Sequence, residues 1–66
     1  MKNNIKVQRA MKNMTQADLA KHIGVSRQTI NAMEGNKYVP STILALKIAR
    51  LFEKQVADIF ELEAED

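Results

Sequence analysis

Sixty-six residues with one histidine and no cysteine make one domain, exclude a disulfide or thiolate-metal staple, and leave a thin core that buries only about 60% of the unfolded surface. No run approaches the roughly 20 apolar residues of a membrane span, and no apolar stretch follows Lys2 as it would in an export signal, so the chain reads as a cytoplasmic protein. The net charge of +2 conceals an asymmetry: residues 1–50 carry nine Lys/Arg against Asp18 and Glu34, giving +7, whereas residues 51–66 carry Lys54 against six acids, giving −5.

In chain order, Gly24, Gly35 and Pro40 divide the sequence into helical pieces. Asn3-Asn4 is placed to cap a first helix with Ile5, Val7, Ala10 and Met11 as apolar positions, extending to Met14. Thr15-x-x-Asp18 is a capping-box start for a second helix, with aspartate in place of glutamate. Ala17, Leu19, Ala20 and Ile23 follow, and Gly24 supplies a residue free to turn left-handed after it. Ser26 caps a third helix over Arg27–Glu34, which Gly35 ends in the same role. A loop, Asn36-Lys37-Tyr38-Val39, leads to Pro40. Ser41 caps a fourth helix whose core face is Ile43, Leu44, Leu46, Ile48, Leu51 and Phe52. Gln55–Phe60 permits a short fifth helix. The tail Glu61–Asp66, four of six residues acidic, is expected to be loose, though the sequence admits a short strand at Leu62 paired with residues 1–3. No segment alternates apolar and polar residues, so the class is all-α, a compact cluster of short helices in one domain spanning residues 1–66.

The strongest signal lies at residues 16–35. Two helices too short to stand alone are joined by Gly24-Val25-Ser26, a connection that favours a crossing near 90–120°, the helix-turn-helix geometry. Ala20 lets the backbones approach, and Ile23, Val25, Ile30 and Met33 meet in the core. On nearly the opposite side of the third helix lie Arg27, Gln28 and Asn31. The B-DNA major groove admits one α-helix; arginine pairs bidentately with guanine, and asparagine or glutamine with adenine. The basic body supplies the matching charge for a polyanion. Amides at Gln28 and Asn31 also suit an ordinary wet helix face, so the face gains its weight from the turn beside it.

With those residues in view, Gln16–Gly35 resembles the phage-repressor/Cro-type, or XRE, helix-turn-helix family. The likeness runs through Gln16, Ala20, Ile23, Gly24, Val25, Ile30 and Met33 to Glu34-Gly35, then through Pro40-Ser41 and Lys47-Ile48-Ala49 to Asp58-Ile59-Phe60. "SRQTIN" with "NKY-x-PS" is similar to a subgroup of very small bacterial repressors that includes the cytolysin-operon regulator. The resemblance implies a five-helix, lambda-repressor-like domain that binds double-stranded operator DNA as a homodimer. It implies a phosphate contact for Gln16, base reading by Arg27 and Gln28, and a base or phosphate contact for Asn31. Asn36, Lys37 and Tyr38 would hold the backbone across the groove, and Thr29, at the side of the helix, would serve either role. It also implies a partly buried ion pair between Arg9 and Glu34.

One recognition helix reads too few base pairs for a genome, so two, about 34 Å apart, are expected to read a palindrome. The expected pairing surface is late and apolar: Phe52, Val56, Ile59, Phe60 and Leu62, although Phe52, Ile59 and Phe60 equally suit a role in closing the monomer core. His22 stands alone, so no metal site is expected, and no cofactor, small-molecule ligand or catalytic set is indicated. A repressor is the first expectation. An antitoxin-type DNA-binding protein that neutralises a protein partner is the alternative, disfavoured by the short tail.

Overall fold

Every helix of the chain begins where a polar group takes up an amide that the helix itself leaves unpaired. The computed structural model describes all 66 residues as β1 (Lys2–Asn3), α1 (Ile5–Met11), α2 (Gln16–Ile23), α3 (Arg27–Glu34), α4 (Thr42–Phe52), α5 (Val56–Ile59) and β2 (Phe60–Glu61). Thr15 and Asp18 form the reciprocal box ahead of α2, each backbone N–H donating to the other's side chain at 3.0 Å. Ser26 Oγ accepts from the Thr29 amide at 3.2 Å and Ser41 Oγ from the Leu44 amide at 3.1 Å. At α5 the Gln55 amide donates to Asp58 at 3.0 Å. At α1 the work falls to Asn3, whose Oδ1 accepts from the Ile5 amide at 3.1 Å, while Asn4 donates its side-chain amide to the Asp58 carbonyl.

The ends of α2 and α3 differ in a way the two glycines do not reveal. Gly24 is left-handed, with φ 77°. Gly35 is not: its φ is −84°, and the left-handed residue is the next one, Asn36, with φ 59°. Asparagine is the side-chain-bearing residue that tolerates this region best. Asn36 is held there in part by Asn3, which donates to the Met33 carbonyl at 2.8 Å and to Asn36 Oδ1 at 3.3 Å.

Twelve apolar side chains form one buried cluster, drawn from all five helices and from Phe60. α2 and α3 pack most extensively against each other, and α4 lies behind α2. The apolar positions expected of α1 and α4 divide. Ile5 is buried, but Val7 and Met11 are exposed, and Gln8 takes the inner position. In α4, Leu44, Ile48, Ala49 and Phe52 are buried, whereas Ile43 and Leu46 face solvent. The reason is the helical period: Leu44, Ile48 and Phe52 run four apart along one stripe, and Ile43 and Leu46 fall outside it.

The terminal strands pair antiparallel, Lys2 opposite Glu61 and Asn3 opposite Phe60, just before Leu62. The acidic tail is less loose than its composition suggests. The Met1 ammonium contacts Glu63 at 3.2 Å and Asp66 at 2.8 Å, and Asp66 closes a turn by accepting the Glu63 amide at 2.7 Å.

The two glycines should respond differently to alanine. Gly24→Ala forces a Cβ into the left-handed region and should cost roughly 1–2 kcal/mol. Gly35→Ala meets only ordinary contacts, the nearest being the Asn31 carbonyl at 3.5 Å. It should be neutral, or stabilise by up to about 1 kcal/mol through the unfolded chain. Urea melts of both variants check this; equal losses would contradict the assigned conformations.

Candidate nucleic-acid interface

Three residues far apart in sequence clamp the helix-turn-helix together. Arg9, on α1, meets Glu34, the last residue of α3, through two parallel contacts: Nε to Oε2 at 2.6 Å and Nη2 to Oε1 at 3.0 Å. The side chains are only 13% and 8% exposed. Arg9 Nη1 also donates to the Met14 carbonyl at 2.9 Å, which fixes the entry into α2. Gln16 opens α2 and donates its side-chain amide to Glu34 Oε1 at 3.1 Å. Burial pushes the Glu34 carboxyl up, but the hydrogen bonds from Arg9 and Gln16 outweigh it and hold the group below the ordinary glutamate range. Hydrogen bonding to Glu34 outweighs the cost of burial at Arg9 and raises the guanidinium further.

The opposite side of α3 carries side chains without internal duties. Arg27, Gln28, Asn31, Ala32 and Lys37 line one open hollow. Arg27, Gln28, Asn31 and Lys37 are exposed, and none makes a side-chain hydrogen bond or ion pair within the chain. Arg27 also borders a second hollow with Arg9, Thr15, Gln16 and Ala17. The two hollows therefore form one continuous surface, running from the start of α2 across the start of α3 to Lys37.

Other expected positions are arranged differently. Thr29 is half-buried, and its hydroxyl shares a hydrogen bond with Ser26 Oγ at 2.9 Å. Asn36 is bound by Asn3. Tyr38 is exposed on the loop, outside both hollows. Of the five residues expected to pair two copies, Phe52, Ile59 and Phe60 are 2%, 2% and 7% exposed and close the chain's own core, the other role expected of them; Phe60 also borders an open hollow beside Val56. Their burial follows from the end of the chain folding back: α5 packs against α4 and is followed at once by β2, which turns Ile59 and Phe60 inward over Phe52. Val56 is half-buried and Leu62 exposed. Asn3 is a supporting residue that no sequence signal marks, because its partners lie 30 and 33 positions away.

The electrostatics of α3 run against its own dipole. A helix favours anions at its N-terminus and cations at its C-terminus, each by about 0.3–1 kcal/mol. α3 has Arg27 at the start and Glu34 at the end. Arg9 offsets the unfavourable end. Nothing in the chain offsets Arg27, which adds positive charge to amides already pointing outward, a combination suited to an external anion.

Two packed helices joined by a three-residue turn, the second presenting an arginine and two amides and followed by a loop lysine, define a helix-turn-helix DNA-binding domain. The sequence model of a helix-turn-helix family matches residues 5–59, and the chain belongs to this family, of the XRE type. Its members are DNA-binding proteins, not enzymes. The chain is 54% identical, over the whole length of both, to an uncharacterised HTH-type transcriptional regulator of Methanocaldococcus jannaschii. It is 46% identical, again over both whole chains, to the uncharacterised HTH-type transcriptional regulator YgzD of Bacillus subtilis. A crystal structure described as "a putative DNA-binding protein from Bacteroides fragilis" superposes with a TM-score of 0.78 at 34% identity, covering 88% of this chain and 94% of that one.

Two predictions follow from the charges. Arg9→Met strands Glu34 and should cost about 3 kcal/mol, near the lower end for breaking a buried pair. Against a total of a few kcal/mol, circular dichroism should show a largely unfolded chain, and Arg9→Met with Glu34→Leu should restore the helix signal. Because the folded pKa of Glu34 is depressed, the pair stabilises above the unfolded value of about 4.3 and is lost as pH falls through the folded value. The gap between wild type and the double variant should therefore shift toward the double variant as pH falls from about 5 through the folded value. Separately, Arg27→Ala should stabilise the free protein by roughly 0.3–1 kcal/mol at low salt, read as a raised melting temperature; a lowered one would contradict the dipole argument.

Proposed function

We propose that this protein is a homodimeric transcriptional repressor that reads a palindromic operator by laying α3 in the major groove. The observation that carries the reading is the set Arg27, Gln28, Asn31 and Lys37, whose side chains are exposed together and make no hydrogen bond or ion pair within the chain. Ordering long polar side chains costs entropy, so a surface that leaves three of them unpaired on one helix face and a fourth on the loop beside it suits an external partner with many acceptors. In this reading Arg27 and Gln28, at the start of the helix, contact base edges, and Asn31 contacts a base or phosphate one turn on. Ala32 leaves room beside them or meets a thymine methyl group.

Phosphates would be held on two sides. Gln16 spends one amide proton on Glu34 and keeps the other for a phosphate at the start of α2. Lys37, with Asn36 and Tyr38, would hold the backbone across the groove. Thr29, tied to Ser26, contributes at most through the phosphate side. Phosphate contacts set the register and base contacts the specificity. A repressor needs nothing beyond occupancy of the operator, and a second copy doubles the number of base pairs read.

Selection of bound sequences from a random duplex pool tests the reading directly, and a palindrome with half-sites about one helical turn apart is the expected product. On that sequence, Arg27→Ala should cost roughly 1–3 kcal/mol and relax discrimination at one base pair per half-site. Lys37→Ala should weaken all sequences alike and reduce the salt slope by about one. Equal losses on selected and random DNA for Arg27→Ala would overturn the base-reading role.

A further inference from the structure

The loop that carries Lys37 is tied to the strand that precedes α1. At the end of α3 the Asn36 amide donates to the Met33 carbonyl at 3.0 Å, and the Lys37 amide to the Ala32 carbonyl at 2.9 Å. This pair of bonds closes a helix through one left-handed residue, and that residue is Asn36, with φ 59°. Glycine takes such a position most readily, because it has no Cβ to strain. Asparagine brings what glycine lacks, a side-chain acceptor, and Asn3 uses it. The Asn3 side-chain amide donates to the Met33 carbonyl at 2.8 Å and to Asn36 Oδ1 at 3.3 Å. We propose that Asn3 is a positioning residue for DNA binding: it sets the direction in which Lys37 leaves α3, and so presets the loop's hold on a phosphate. The inference rests on the reading of Lys37 as a phosphate contact and deepens it.

Asn3 can aim the loop because it is itself held. Its backbone pairs opposite Phe60 in the two-strand ladder. The amide of the following residue donates to the Ile59 carbonyl at 3.0 Å. Its Oδ1 accepts the Ile5 amide at 3.1 Å. An N–H group faces one end of the side chain and a carbonyl the other, so the amide fits in one orientation. The Oδ1 end serves α1. The Nδ2 end serves α3 and the loop. Ile59 and Phe60 are core residues, so the chain Phe60–Asn3–Asn36 carries the position of the core to the surface.

The Lys37 side chain makes no bond within the chain, so only its backbone can be set in advance. With Asn36 left-handed and the Lys37 amide on Ala32, Lys37 comes to line one hollow with Arg27, Gln28 and Asn31. The bond from Asn3 takes the acceptor end of Asn36 and leaves its two amide protons for a phosphate beside Lys37. A loop ordered before binding spares the entropy that ordering would cost on the DNA. Phosphate contacts carry no sequence information directly, so the benefit is the same on every duplex.

Asn3→Ser tests the link. The serine oxygen can still accept the Ile5 amide, as capping serines do, but it has no amide to offer Asn36. On duplexes selected from the random pool, this variant should bind roughly three- to tenfold more weakly, the factor one hydrogen bond is worth. It should lose the same factor on random DNA and keep its helix signal in circular dichroism. In the Lys37→Ala background the same substitution should change affinity by less than about twofold. If Asn3→Ser does not fold, Asn3→Asp, which keeps the acceptor and removes both donations, is read in the same two backgrounds. Equal losses in the two backgrounds, or a lowered melting temperature with unchanged affinity, overturn the role of Asn3 and leave the reading of α3 intact. A Lys37→Ala protein that binds every duplex as the wild type does removes the phosphate contact, and this inference with it. A wild type that selects no duplex from the pool overturns the proposed function as well.

Discussion

The pair between Arg9 and Glu34 is the contact on which the rest of the arrangement depends. It joins α1 to the end of α3, and through Met14 and Gln16 it also reaches the start of α2. Three helices are thereby set in one orientation. Its value is not a large net energy, since a buried ion pair recovers little more than its desolvation cost. Its value is directional. A bidentate guanidinium–carboxylate contact accepts one geometry, and a small apolar core of aliphatic side chains accepts several. Glu34 also stands at the helix end that disfavours an anion, and only the guanidinium makes that position tolerable.

The helices are too short to persist alone, so their angle must come from the turn and the core. Gly24 reverses the chain with a left-handed residue, the Val25 amide reaches back to the Ala20 carbonyl at 3.0 Å, and Ser26 restarts the helix at once. Ile23, Ile30 and Met33 then bury together, with Val25 packed at the edge. Every structural task of α3 is carried by its inner side or by its ends. That division is what frees Arg27, Gln28 and Asn31, and it explains why removing Arg27 is expected to help folding while it harms recognition.

What was legible in the sequence is what depends on neighbours along the chain. The caps at Thr15, Ser26 and Ser41, the turn at Gly24, and the inner and outer sides of α3 are local, and each occurs where the residue types place it. The family likeness added Arg9 and Glu34, whose 25-residue separation no periodicity reveals. The positions that resisted depend on which side of an element its partners occupy. Apolar residues at 43, 44, 46, 48, 51 and 52 cannot all lie on one stripe of a helix, and the sequence does not say which are left outside. The same holds for Val7 and Met11 against Gln8. Gly35 is expected to turn left-handed as Gly24 does, and the structure gives that role to Asn36 instead, which also tolerates it and is held by Asn3, more than thirty residues away.

Phe52, Ile59 and Phe60 show why a small domain must look outward for an interface. A chain of this length has too little interior to spare large side chains, and α5 with β2 delivers Ile59 and Phe60 to the core at that end. Apolar surface remains on the outer side of α4, beside the loop that carries Lys37, and at Val7, Met11 and Leu62. Stability gained there by association would grow with concentration, and a palindrome raises the local concentration of one copy near the other. In the proposed dimer, DNA binding and the stability of a marginal fold are then linked: each half-site occupied strengthens the contact that holds the second reading helix in place. In that reading a monomer presenting the same Arg27, Gln28, Asn31 and Lys37 would have neither the reach nor the reserve of stability.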